Sequence, residues 1–104
     1  MLFSVVEVMP QYPGGQIAML KYIMENIKYP EQAMKKGIQG RVVVSFIVEK
    51  DGRVSNVRLL RSVESSLDKE AVRVVKSMPK WSPGKQNGKP VRVRFNVPVM
   101  FKLN

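Results

Sequence analysis

Arg41-Val42-Val43-Val44-Ser45-Phe46-Ile47-Val48, then Glu49-Lys50-Asp51-Gly52-Arg53, then Val54-Ser55-Asn56-Val57-Arg58-Leu59-Leu60: this stretch decides the fold. Two runs rich in β-branched residues flank an aspartate–glycine pair. That pair tolerates the positive φ angles of a two-residue type I′ turn, so the stretch predicts a β-hairpin turning at Asp51-Gly52. The first run is apolar on both of its faces, which predicts a strand inside a sheet.

Upstream, Pro10, Pro13, Gly14 and Gly15 mark residues 1–15 as an extended lead-in with a turn, leaving 16–104 as a single domain. Ile17, Leu20, Met24 and Ile27 fall at three- and four-residue spacing, the buried face of an amphipathic helix. That helix stops before Pro30, because the residue ahead of a proline disfavours helical dihedrals. Pro30 to Gly37 has proline at its start, glycine past its end, acid early and lysines late, the pattern of a short capped helix. Downstream, Ser65 and Asp68 have capping-box spacing, and Leu67, Ala71, Val74, Val75 and Met78 predict the buried face of a third helix that Pro79 ends. A loop from Pro79 to Pro90 follows. The last strand alternates: Val91, Val93, Phe95, Val97, Val99 and Phe101 share one face, Arg92, Arg94, Asn96 and Lys102 the other, so one face packs and one is wet.

A helix separates the second strand from the third. Placing the third strand beside the first makes every neighbour antiparallel and puts the doubly apolar strand in the centre. Pro98 agrees, since proline is confined mainly to sheet edges. The expected fold is α+β: a three-stranded antiparallel sheet in order 2-1-3, helices on one face, and a β-β-α-β core preceded by one or two helices.

With 104 residues the chain has room for one modest core. No apolar run reaches the roughly 18 residues of a membrane span, and the first six residues lack a signal peptide's basic flank and cleavage site. Cysteine and histidine are absent, so no disulfide framework, zinc finger or Ser-His-Asp site can form, and no cofactor or metal is expected. The excess of 18 Lys and Arg over 8 Asp and Glu permits an acidic protein segment, nucleic acid or anionic lipid as partner, or is simply a lysine-rich soluble surface.

Lys28-Tyr29-Pro30, Gly37-Ile38-Gln39-Gly40-Arg41, Asp51-Gly52-Arg53-Val54, Leu67-Asp68-Lys69-Glu70-Ala71, Trp81-Ser82-Pro83-Gly84, Gly88-Lys89-Pro90-Val91 and Pro98-Val99-Met100-Phe101 occur in that order. Each is weak alone, but together, over about Tyr12 to Leu103, they make a chain that resembles the TonB C-terminal family. The resemblance implies the periplasmic, receptor-binding domain of an inner-membrane-anchored energy transducer, not an enzyme. A membrane helix, a linker and an ExbB–ExbD motor would act from upstream. It implies that a TonB-dependent outer-membrane receptor adds its Ton box as a strand beside Val91, Arg92, Val93, Arg94, Phe95, Asn96 and Val97, with Tyr29 and Pro30 nearby. Asn26 stands where the family has a glutamine-containing segment. An unpaired edge also permits a homodimer.

Bland readings stand beside these. Tyr29-Pro30 serves equally as a helix-entry turn whose ring packs on the sheet. Trp81, a lone tryptophan near prolines, reads as a plug for the open end of the core. Arg92, Arg94 and Lys102 either guard an edge against aggregation or steer an acidic partner. The runner-up function, a basic nucleic-acid-binding module, lacks the exposed aromatics that stack bases, because Phe46, Phe95 and Phe101 are all expected in the core.

Overall fold

The computed structural model describes residues 1–104. In chain order the elements are β1 (Leu2–Phe3), α1 (Gln16–Asn26), α2 (Glu31–Lys35), β2 (Gly40–Val48), β3 (Val54–Arg61), α3 (Ser65–Lys76), β4 (Gly84–Gln86) and β5 (Lys89–Phe101). β2 lies between β3 and β5 and is antiparallel to both. The three long strands therefore stand as expected, but a sheet of three strands is not what forms. β1 runs parallel to β5 with Leu2 opposite Arg92 and Phe3 opposite Val93, and β4 runs antiparallel to β5 from Gly84 opposite Val91 to Gln86 opposite Lys89. Residues 1–15 are tied to this sheet at further points, through Val8 opposite Lys85 and Gln11 opposite Ser82.

Alternation builds the core. Val42, Val44, Phe46 and Val48 of β2 stand opposite Val99, Val97, Phe95 and Val93 of β5; all but Val93 belong to or pack on the core that the helices cover, and Val93 is buried beside Gly84. Leu67, Ala71, Val74, Val75 and Met78 of the third helical segment close over them, all buried as their spacing predicts. The second face of β2 carries Arg41, Val43, Ser45 and Ile47. Ser45 and Ile47 there are buried although no helix covers them, since long side chains of neighbouring strands lie across a central strand and keep their charged ends in water.

Three local expectations are corrected. The hairpin between β2 and β3 does not turn on two residues: the Gly52 N–H donates to the Glu49 carbonyl (2.9 Å), and Gly52 alone takes a positive φ, of 89°. This is a three-residue loop, a tight turn followed by a left-handed glycine. The two-residue type I′ turn occurs instead at Asn87-Gly88, where both φ angles are positive (53° and 75°), and it joins β4 to β5 inside the expected loop.

The α3 cap is shifted by one residue. Glu64, not Ser65, is the N-cap, and its carboxylate accepts from the Ser66 and Leu67 N–H groups. Asp68 reaches back to the Val63 N–H (2.9 Å) and accepts the Ser62 hydroxyl, so its buried carboxylate is satisfied. Glutamate reaches these amides because its longer side chain folds back over the first turn, keeping the negative charge at the positive end of the helix.

Helix α1 presents a different face from the expected one. Met19 and Ile23 are buried, whereas Ile17 and Met24 are 83 % and 77 % exposed and Leu20 is also exposed. Ile27, just past the helix end, does pack against the core. Apolar residues point in nearly every direction around α1, so spacing cannot choose between faces. Tertiary contacts choose. The Tyr22 hydroxyl donates to the Ser77 carbonyl at the end of α3 (2.9 Å), and Arg73 of α3 donates to the Asn26 carbonyl (2.8 Å), which fixes the rotation of α1.

Candidate functional site

The sheet has two outer edges, and they differ. Along β3 the pairing with β2 slips in register twice, and Asn56 has a φ of 46°. Such bulges twist an edge and discourage a further strand. Along β5 the pairing with β2 is unbroken from Gly40 opposite Phe101 to Val48 opposite Val93, so the other side of β5 is a regular edge. Leu2 and Phe3 already occupy that side beside Arg92 and Val93. From Arg94 to Phe101 no strand lies there.

The segment singled out from the sequence is therefore divided. Val91 belongs to the β4–β5 hairpin, Arg92 and Val93 are flanked by β1, and only Arg94, Phe95, Asn96 and Val97, with the residues after them, border the open edge. The occupied part could not be foreseen, because Leu2 and Phe3 form a strand too short to have a period.

The two arginines differ as well. Arg92 binds Glu49 through Nε (2.7 Å) and Nη2 (3.2 Å). The hydrogen bond from Arg92, then that from Ser55, holds the Glu49 carboxyl below the usual carboxylate range. Arg94 has no carboxylate partner. It donates to the Ser45 hydroxyl (3.1 Å), a neutral anchor that leaves its charge uncompensated. Arg92 is therefore largely committed within the domain, and Arg94 is available to a partner.

On the helix side of the same edge lies a groove of about 340 Å³, walled by Phe95, Asn96 and Pro98 of β5, by Met9 to Tyr12 of the lead-in, and by Gly15, Gln16 and Met19 where α1 begins. Trp81 lines it and is 4 % exposed. Its ring meets those of Tyr12, Phe46 and Phe95 nearly edge-on at 5.7, 5.4 and 5.2 Å, so it closes the open end of the core. Phe95 is only half-buried, since its outer side borders the groove. No periodicity announces this groove, because its walls come from three separated segments.

Asn26, Tyr29 and Pro30 sit elsewhere. The Tyr29 ring packs edge-on against Phe101 (5.5 Å) and its hydroxyl donates to the Ile38 carbonyl, while Pro30 is the N-cap of α2. The Asn26 amide donates to the Tyr22 carbonyl at 2.8 Å. These residues lie toward the Phe101 end of β5, roughly 20 Å along the strand from Phe95 at about 3.3 Å per residue. Sequence reasoning missed the clamp beside them. Glu70 accepts the Lys28 N–H (2.6 Å) and binds Arg73 (2.7 Å), which itself holds Asn26. The carboxyl of Glu70 is held below the usual range, mainly by its hydrogen bond from Arg73. Glu64, Asp68 and Glu70 thus have structural work, capping α3 and tying the α1–α2 connection.

Residues 25–103 match the family described as Gram-negative bacterial TonB protein C-terminal. Protein TonB of Pseudomonas aeruginosa is 36 % identical over 77 residues, covering 72 % of this chain and 22 % of that protein. Protein TonB of Xanthomonas campestris is 32 % identical over 92 residues, covering 88 % of this chain and 41 % of that protein. The chain thus spans less than half the length of these relatives. Among solved structures, the Helicobacter pylori TonB-CTD superimposes with a TM-score of 0.67 at 25 % identity, over 85 % of this chain and 79 % of that one. The Pseudomonas aeruginosa TonB CTD does so with a TM-score of 0.63 at 25 % identity, over 100 % and 94 %. With its mixed α+β sheet and with residues 25–103 inside the family's pattern, the chain belongs to the TonB C-terminal family.

Proposed function

We propose that this domain is the periplasmic, receptor-binding part of a TonB-type energy transducer. It couples the proton motive force of the inner membrane to TonB-dependent outer-membrane receptors for nutrient uptake. Anchoring in the inner membrane and contact with an ExbB–ExbD motor belong to parts of the protein outside this chain. The receptor's Ton box adds as a strand to the outer side of β5. The observation that carries this reading is the regular edge from Arg94 to Phe101, which has backbone groups to offer and no strand beside it. Main-chain hydrogen bonds supply affinity in strand addition, and side-chain pockets supply selectivity. The docking segment shifts accordingly from Val91–Val97 to Arg94–Phe101, with Arg92 and Val93 behind the domain's own first strand.

The same edge offers a second copy a weak pairing surface, which would make a homodimer compete with the receptor segment. The nucleic-acid reading gains nothing from the fold: Phe46 and Phe101 are buried on the helix side, and Phe95 also faces that side, so the open face has no aromatic platform. Amide exchange with and without a Ton-box peptide tests the proposal. Slowed exchange is expected at the amides between Arg94 and Phe101 that point away from β2, Pro98 having none. Protection confined to Val54–Arg61 would place docking on the opposite edge, and binding of an oligonucleotide without binding of the peptide would overturn the reading.

A further inference from the structure

The groove beside Phe95 lies against the stretch of β5 whose outer side, away from β2, has no neighbouring strand, and its far wall is fixed. The Val8 N–H donates to the Lys85 carbonyl (3.1 Å) and the Gln11 N–H to the Ser82 carbonyl (3.0 Å), so the lead-in is held in place by backbone hydrogen bonds on either side of Met9 and Pro10. Gly14 and Gly15, both at positive φ, then turn the chain into α1 and leave Met19 at the back. At about 340 Å³ the groove falls near the lower end of the roughly 300–1,000 Å³ typical of ligand sites. Its walls combine Met9, Tyr12, Met19, Trp81, Phe95 and Pro98, which favour an apolar occupant, with the amides of Gln11, Gln16 and Asn96. The indole N–H of Trp81 is buried without an acceptor.

The opposite side of the same edge has the opposite chemistry. Arg94 stands on the open face with no carboxylate beside it, in a domain with a formal charge of +10. Successive residues of an extended chain point to opposite faces of a sheet. A strand laid along β5 therefore presents alternate side chains to the apolar groove and to Arg94.

We propose that the groove is a side-chain pocket that takes one large apolar residue of the incoming segment, while the residues immediately before and after it are acidic and face Arg94. The occupant is thus an extended peptide whose acid and apolar residues alternate about the pocket position. This inference rests on strand addition to β5 and adds the rule by which that edge chooses its segment. Backbone pairing alone would accept any extended chain, but this arrangement discriminates by register.

Two capped peptides of identical composition and charge test it. In Thr-Val-Glu-Leu-Glu-Val-Thr the leucine and valines share one face and the glutamates the other. In Thr-Glu-Val-Leu-Val-Glu-Thr the leucine shares its face with the glutamates. Affinity is measured by titration, with Trp81, the sole tryptophan, as fluorescent reporter of the groove, and amide exchange reports on β5. The first peptide is expected to bind at least about tenfold more tightly, which corresponds to roughly 1.4 kcal/mol, and to shift Trp81 emission. Replacing its leucine by alanine should remove both effects. Equal affinities with β5 amides protected and Trp81 unchanged would overturn the pocket and leave strand addition intact. Failure of both peptides to protect β5 would overturn strand addition and the pocket with it.

Discussion

Gly52→Ala tests how the end of the core is closed. Gly52 sits at φ +89°, and a Cβ built there would lie 2.0 Å from the carbonyl oxygen of Trp81. The Trp81 N–H meanwhile donates to the Gly52 carbonyl (2.8 Å), so the two backbones are held face to face. Left-handed backbone in a non-glycine residue costs roughly 1–2 kcal/mol. Relieving the overlap means parting the hairpin loop from the backbone at Trp81 and losing a hydrogen bond whose net worth is about 0.5–1.5 kcal/mol, and Trp81 loses contact with Phe46 and Phe95 as well. Together these give a destabilisation of about 2–4 kcal/mol, or roughly 10–25 °C in Tm for a domain of this size.

Gly88→Ala is the matched control. Its φ is +75°, but nothing lies within 4 Å of the added Cβ, so only the conformational cost of about 1–2 kcal/mol applies. Urea unfolding followed by Trp81 fluorescence gives both values, and unchanged m-values show that the unfolded state is not responsible. If the two variants lose the same stability, the close approach of Gly52 to Trp81 does not matter and the account of how the hairpin loop seals the core is wrong.

Stability should be flat between pH 6 and 8, because no histidine is present and the shifted carboxyls lie lower still. Glu49 and Glu70 have folded values below their ordinary 4.5, so their stabilisation is complete above that value and is lost as pH falls through the folded values; Glu70→Gln should shrink the acid-side slope in thermal melts, and a steep slope near neutrality would contradict the assignment. Arg94→Glu should slow association of an acidic Ton-box peptide several-fold with little change in lifetime, and salt should narrow the gap; stopped-flow kinetics that show the change only in dissociation would count against steering. Arg92→Glu should instead lower stability, since it sets two carboxylates together at Glu49. Removing residues 1–4 should extend peptide-induced amide protection to Arg92 and Val93, and an unchanged pattern would mean that β1 does not limit the docking edge.

Sequence alone determined what depends on neighbours along the chain. The alternation of β5, the doubly apolar β2 and the buried stripe of α3 were legible because period and burial coincide there, and the order of the long strands followed from one central strand and one helical crossover. Local chemistry that differs by a single residue was less legible: Glu64 in place of Ser65 as a cap, and Asn87-Gly88 in place of Asp51-Gly52 as the type I′ turn, are settled by which neighbours each turn must meet. Tertiary structure decided the rest. It chose Met19 and Ile23 over Ile17 and Met24 as the buried side of α1, because an apolar helix takes its rotation from what it packs on. Tertiary structure also laid Leu2 and Phe3 beside Arg92 and Val93, separated the committed Arg92 from the uncommitted Arg94, and assembled the groove from the lead-in, α1 and β5. Those features join residues from 43 positions apart, as for Arg92 and Glu49, to about 90, as for Leu2 and Arg92, and such contacts leave no period in a sequence because each is a single meeting of distant segments.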